Sequence, residues 1–254
     1  MTSLIDHEVK RIPQEVFAFY KIGTNIGPGG QQLYTEMSLP IGQLATIHLF
    51  PMPLRFPVSK DRALIQIVDA AFADAAQRSG GWLVCRRGCT QCCTGVFAIN
   101  QLDAQRLRRG FADLEKRNPE RAGLVRLRAQ QAVARLAADF PGDPVSGLLH
   151  EGEEASARFE DFGNDEVCPV LDPETGSCEL YESRPMTCRV FGPPVRSEDG
   201  LGACELCYHG ASEQEIAACE IKPDPEDHES ALVERLEKST GTSGNTIIAF
   251  CLGS

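Results

Sequence analysis

The sequence predicts an α+β protein, mainly helical with short strands, that carries a loop-rich, cysteine-ligated metal region. Three observations support this. Apolar residues recur at helical spacing, most clearly Leu107, Phe111 and Leu114 within QLDAQRLRRGFADLEKR. Alternating stretches are few and short, and glycine and proline interrupt them. Seven of the eleven cysteines fall in two tight blocks, Cys85, Cys89, Cys92 and Cys93, then Cys168, Cys178 and Cys188.

Residues 1–80 read as an N-terminal helical and extended layer. It has a helix near Glu8–Tyr20, a loop through KIGTNIGPGGQQ, strands at LYTEMSLP and LATIHLF, and a helix capped by Ser59 and stopped by Gly80 and Gly81. Residues 81–222 read as a cysteine-cluster metal-binding domain with a two-helix insertion at about 100–140. Those helices start near Asn100 and Asn118. The second is entered through Pro119, whose missing N–H costs nothing in a first turn. Pro141–Asp165 is acidic and glycine-rich and reads as a surface loop, and Asp172–Gly176 has turn chemistry. Helices follow at Ser212–Cys219 and Asp224–Lys238, with residues 223–254 forming a C-terminal helix and tail that pack on the domain and bury Cys251. A chain of 254 residues that is 42% hydrophobic can build a core unaided, so a metal is expected to organise a region rather than the whole fold.

Charge divides unevenly: residues 1–150 carry net +5 and residues 151–254 net −16, so the halves attract. The arginines between Arg106 and Arg135 fall on faces other than the apolar stripe. They are expected to form a solvated face that docks on the acidic half. The overall charge of −11 opposes polyanion binding, and no nucleic-acid partner is expected. No stretch reaches the roughly 20 apolar residues of a membrane span, and no membrane association is expected. In MTSLIDHEVKRIPQE, charged residues stand where an export signal needs an apolar run. The cysteine count is odd and the cysteines are clustered. The expected setting is therefore cytoplasmic and reducing.

Thiolates two or three residues apart on a turning backbone can converge on one soft cation, and neighbours so close join poorly in a disulfide. Arg86, Arg87 and Gly88 inside the first block favour the thiolate form. Cys204 and Cys207, a C-x2-C pair followed by His209, could complete a second site or close the first. Cys219 and Cys251 stand isolated and read as core residues. Zinc takes four tetrahedral ligands, so seven to nine thiolates imply two sites, a shared cluster or spectators. An iron–sulfur cluster also takes four cysteines, and the C-x3-C-x2-C spacing with Cys168-Pro169 tips the expectation slightly towards it. Cys92 and Cys93 are adjacent and diverge, so one of the two serves a second site, bridges or stays free.

The series C-x3-C-x2-CC, then CPVLD-x5-C-x-LYESRP-x2-CRVFG, resembles the YkgJ-type cysteine-cluster family. The residues that carry the resemblance are Cys85, Cys89, Cys92, Cys93, Cys168, Pro169, Leu171, Cys178, Tyr181, Arg184, Pro185, Cys188 and Arg189. The resemblance implies chelation of zinc or iron and implies no reaction. The family often has two residues between the first two cysteines, where this chain has three. Arg184 and Arg189 are expected to support the site from behind the ligands by neutralising thiolate charge or donating to sulfur, and Tyr181 and Phe191 to shield it.

Three functions are compatible with this. The first is a metal-binding protein holding an iron–sulfur cluster or zinc. The second is a metal-dependent redox or methyl-transfer enzyme, since flagellin lysine-N-methylase carries a similar cysteine cluster. The third is a metal-stabilised module for an unidentified protein partner. No Gly-rich strand-to-helix turn or catalytic Ser/His/Asp group stands out to favour the enzyme. Radical S-adenosylmethionine enzymes share the C-x3-C-x2-C spacing, but usually have an aromatic where Gln91 stands and continue into a barrel.

Overall fold

Helices α1 (Val58–Ser79), α2 (Gln101–Arg117) and α3 (Pro119–Leu136) frame the molecule. The computed structural model describes residues 11–12, 58–86, 88–197 and 200–253. The start of α2 is set by Asn100, whose side chain accepts the Asp103 N–H at 2.9 Å, and the start of α3 by Asn118, which accepts the Arg121 N–H at 3.1 Å. Each cap satisfies a donor that the first turn leaves without a partner. The apolar stripe of α2, Leu107, Phe111 and Leu114, is buried against Ala122, Val125 and Ala129 of α3.

The C-terminal segment lies inside this pair. Helix α8 (Ile248–Gly253) buries Ile248, Cys251 and Leu252 in the same cluster. It approaches α3 so closely that a Cβ at Gly253 would stand 3.0 Å from the Ala129 carbonyl. A second core joins Leu64 and Val68 of α1 to Val190 of α5 (Met186–Val190) and to Leu232 and Leu236 of α7 (His228–Thr240). The strands are short. β1 (Arg11–Ile12) pairs parallel with β7 (Gly200–Cys204), and β6 (Val195–Ser197) runs antiparallel on its other edge. Two hairpins, β2 (Gly142–Asp143) with β3 (Leu148–Leu149) and β4 (Leu171–Asp172) with β5 (Ser177–Cys178), stand apart.

Several expectations change. Arg11 and Ile12, inside the expected first helix, are extended. Pro13 follows Ile12, and a residue before proline is pushed out of the helical region. The rest of that helix and the strands expected at LYTEMSLP and LATIHLF lie outside the described residues, as does Arg87. The helix expected to be capped by Ser59 includes Ser59 and begins at Val58, the one expected at Ser212–Cys219 is α6 (Glu213–Ala218), capped by Ser212, and the one expected from Asp224 begins at His228. Pro141–Asp165 is not a loop. It holds the β2–β3 hairpin and α4 (Glu153–Glu160), because Phe159 and Phe162, buried beside Phe140 and Phe250, anchor an otherwise acidic surface segment.

Arg106, expected on a solvated face, is 4% exposed in a network with Asp61, Asp103 and Glu229. Others of the arginines do reach acids of the chain, Arg121 to Glu179 and Asp172, and Arg135 to Glu166. Among the described residues, no helix is long and apolar enough to cross a membrane.

Candidate metal centre

The two cysteine blocks are joined backbone to backbone. Thr94 and Val167 form an antiparallel bridge, and the Cys168 N–H donates to the Cys93 carbonyl at 2.8 Å. The Leu171 N–H then donates back to the Cys168 carbonyl at 3.0 Å, turning the chain into the β4–β5 hairpin, where Cys178 lies opposite Leu171. Asp172 braces the hairpin tip, accepting from the Glu174 N–H at 3.1 Å and the Thr175 hydroxyl at 2.6 Å. The tip touches the first block, since a Cβ at Gly176 would lie 3.5 Å from Gly88 Cα. A 3-10 turn, Tyr181–Ser183, and α5 then deliver Cys188. That turn rests on α2 where a side chain is missing: a Cβ at Gly110 would stand 2.2 Å from Ser183 Oγ.

These connections gather five partly buried thiols, Cys92, Cys93, Cys168, Cys178 and Cys188, close enough to perturb one another. The Cys93 thiol donates to Cys92. This holds the proton on Cys93, whose pKa rises, and lowers Cys92 to about 7. Burial, reinforced by neighbouring sulfurs, pushes Cys168 up to about 12, Cys178 to about 11 and Cys188 well above the ordinary thiol value. Two features work the other way. The sulfurs of Cys168 and Cys178 each accept the backbone N–H of the residue two further on, Val170 and Leu180. The Arg184 guanidinium favours the thiolate at Cys92 and Cys178.

Arg184 donates to the Tyr181 carbonyl at 2.9 Å and covers the Tyr181 ring at 3.9 Å, leaving Tyr181 itself largely exposed. Arg189 is 2% exposed. It donates to Asp69 of α1 at 2.8 Å, to the Arg184 carbonyl at 3.2 Å and to the Glu182 carbonyl, clamping the turn that carries Arg184.

Cys85 stands elsewhere. Its thiol is hydrogen-bonded to Cys207, which is in turn hydrogen-bonded to Cys204, and these three share an apolar cluster with Trp82, Leu83, Phe191, Tyr208 and Cys219. The first block is therefore divided, with Cys92 and Cys93 facing the second block and Cys85 facing the C-x2-C pair. Cys89 is partly buried, its N–H bonded to the Arg86 carbonyl at 2.9 Å. His209 is exposed.

The donor set fits a soft metal, since thiols face one another with backbone N–H groups directed at sulfur and the charge of a guanidinium acting on them. Among the described residues, no three Cys, His, Asp or Glu side chains are arranged to hold one ion as they stand, so binding requires them to draw inward. No disulfide joins any of the eleven cysteines.

A buried charge network backs the centre and has no motif in the sequence. The Asp103 carboxylate accepts the Met186 N–H at 3.1 Å, fixing the start of α5 and hence of the Cys188 turn. Arg106 donates to Asp103 and to Asp61, each at 2.7 Å, and reaches Glu229 at 3.4 Å. Burial, then repulsion from Asp103, raises Glu229 to about 7. Buried Asp or Glu positions on a helix that is otherwise cleanly amphipathic were the only signal available.

Residues 84–208 match the family model CxxCxxCC, described as "Putative zinc- or iron-chelating domain". This segment belongs to that family. The match covers both cysteine blocks of the chelating domain and extends to Cys204 and Cys207, beyond the residues that carry the sequence resemblance. Cys219 and Cys251 fall outside it. No curated protein and no solved structure matches the chain.

Proposed function

We propose that the chelating domain holds an iron–sulfur cluster through four of the five thiols Cys92, Cys93, Cys168, Cys178 and Cys188, with Arg184 offsetting the thiolate charge. The observation that carries this reading is five mutually perturbing thiols drawn from both blocks, more than the four that one tetrahedral zinc takes. Cys168-Pro169 agrees with the proline that often follows a cluster ligand. When bound, such a cluster would supply one-electron chemistry or a rigid crosslink between blocks. The chain's residues would orient the sulfurs by N–H donation and keep water from them.

Anaerobic purification followed by iron, zinc and acid-labile sulfide analysis tests the proposal. Iron and sulfide with visible absorption, lost in the double variant Cys178→Ser/Cys188→Ser, which leaves only three of the five thiols, is the expected result. A colourless protein holding zinc alone would replace the cluster by zinc, and full occupancy in that double variant would remove this group from the ligands.

A further inference from the structure

We propose that Arg128 of α3 is a positioning residue of the metal centre, its buried Nη2 nitrogen donating to the Cys168 sulfur once that sulfur holds metal. The proposal rests on the reading above that Cys168 is a ligand.

Arg128 stands three residues after Val125 and is followed by Ala129 and Ala132, so it lies on the stripe of α3 that is buried. A charged residue is costly there unless something answers it. Arg121, Arg126 and Arg135 of the same helix are about half exposed, and each ends on a carboxylate. Arg121 meets Glu179 and Asp172, Arg126 meets Glu115, and Arg135 meets Glu166. Arg128 ends on no carboxylate among the described residues. Its Nε donates to the Pro169 carbonyl at 2.9 Å, which holds the guanidinium beside the residue that follows Cys168. Its Nη2 is shut off from solvent and, among the described residues, has no acceptor. Buried polar nitrogens are almost always paired, so this one marks a place where an acceptor belongs.

Sulfur is the acceptor at hand. The Arg128 charge acts on Cys168 and favours its thiolate. The backbone of Cys168 is already committed, its N–H to the Cys93 carbonyl and its carbonyl to the Leu171 N–H. Its sulfur accepts one N–H, from Val170. A neutral thiol is a weak acceptor and a metal-bound thiolate a charged one, so the guanidinium gains its partner when the centre is loaded. Arg184 acts on Cys92 and Cys178, and the two guanidiniums thus divide the thiolates between them. Such donors fix the orientation of a ligand and tune the metal it holds.

The unaltered full-length protein, Arg128→Gln, Arg128→Lys and Arg126→Gln, all purified anaerobically, test the proposal. Three readouts are compared: metal release to excess chelator, reduction potential, and urea unfolding of the metal-free form. Arg128→Gln should release metal about 10–100-fold faster. Its potential should shift downward, because positive charge beside sulfur favours the more negative, reduced cluster. Arg128→Lys keeps the charge and loses the fork, so its potential should stay near that of the unaltered protein while its release is intermediate. Arg126→Gln should change neither. If the protein holds zinc alone, the cluster reading fails, and faster zinc release from Arg128→Gln still supports this one. Equal release from Arg128→Gln and the unaltered protein, with either metal, would overturn it. So would an unmoved potential in Arg128→Gln together with a loss of stability in the metal-free form, which a purely structural arginine would give. Should Arg128→Gln not fold, Arg128→Lys decides, and release at the unaltered rate would sink the proposal.

Discussion

The amide of Cys168 donates to the carbonyl of Cys93 at 2.8 Å, across 75 residues of sequence. With the Thr94–Val167 bridge, this bond sets Cys92 and Cys93 of the first block against the second, and the chemistry of that thiol group follows from how tightly its protons are held.

Metal affinity should fall as pH falls. Cys93, Cys168, Cys178 and Cys188 all sit above the ordinary thiol value of 9.0, so they are protonated at neutral pH, and each that becomes a ligand must release its proton. Affinity should drop about tenfold per pH unit for each proton released. Anaerobic zinc titrations in buffers of different ionisation enthalpy count those protons, and a count near zero would contradict the picture.

Gly192→Ala should destabilise the protein by about 1–3 kcal/mol, because φ is +121° and the new Cβ meets Cys85 Sγ at 2.8 Å. Gly210→Ala is the control, with φ +82° but open space around the added Cβ. It carries the backbone strain alone, and its smaller shift in denaturant midpoint separates strain from contact.

Two helical glycines should respond with opposite signs. Gly123 on α3 is exposed with nothing within 4 Å, so Gly123→Ala should gain about 0.5–1 kcal/mol from helix propensity. Gly110→Ala gains the same propensity but drives a Cβ to 2.2 Å from Ser183 Oγ and 2.5 Å from its Cβ, an overlap costing about 1–3 kcal/mol. The clash wins. Urea unfolding of both variants checks the sign, and the metal content of Gly110→Ala should fall because the Cys188 turn is displaced.

Glu229→Gln should stabilise the protein at alkaline pH. Folding raises this carboxyl from 4.5 to about 7, so the folded state binds the proton more tightly than the unfolded chain does. Its contribution to stability is therefore full below 4.5 and is lost as pH rises through about 7. Glutamine mimics the neutral acid and should remove that loss. Thermal melts of both proteins should converge in acid and separate above neutrality, with the variant higher, and parallel curves would show that Glu229 does not titrate there.

Much of this was legible locally. The Asn100 and Asn118 caps, Pro119 at the head of α3, the capping box of Ser212 and Glu215, and the stops at Gly80 and Gly81 are contacts within a few residues, and propensity and spacing read those directly. Helix α8 was missed because a six-residue helix buried on almost every side has no polar face to create a period. Helix α4 was missed because Phe159, its one buried anchor, is outnumbered by surface acids.

The sequence by itself determined that the cysteines form thiol sites and which family the chelating segment resembles, because residue types and short spacings are properties of the chain alone. Only the tertiary structure decided how those thiols divide. The Cys93–Cys168 pairing, the Gly192 gap beside Cys85 and the Asp103–Met186 bond arise where distant segments cross. Burial and hydrogen bonding at such crossings depend on the packed core, and no local spacing encodes them.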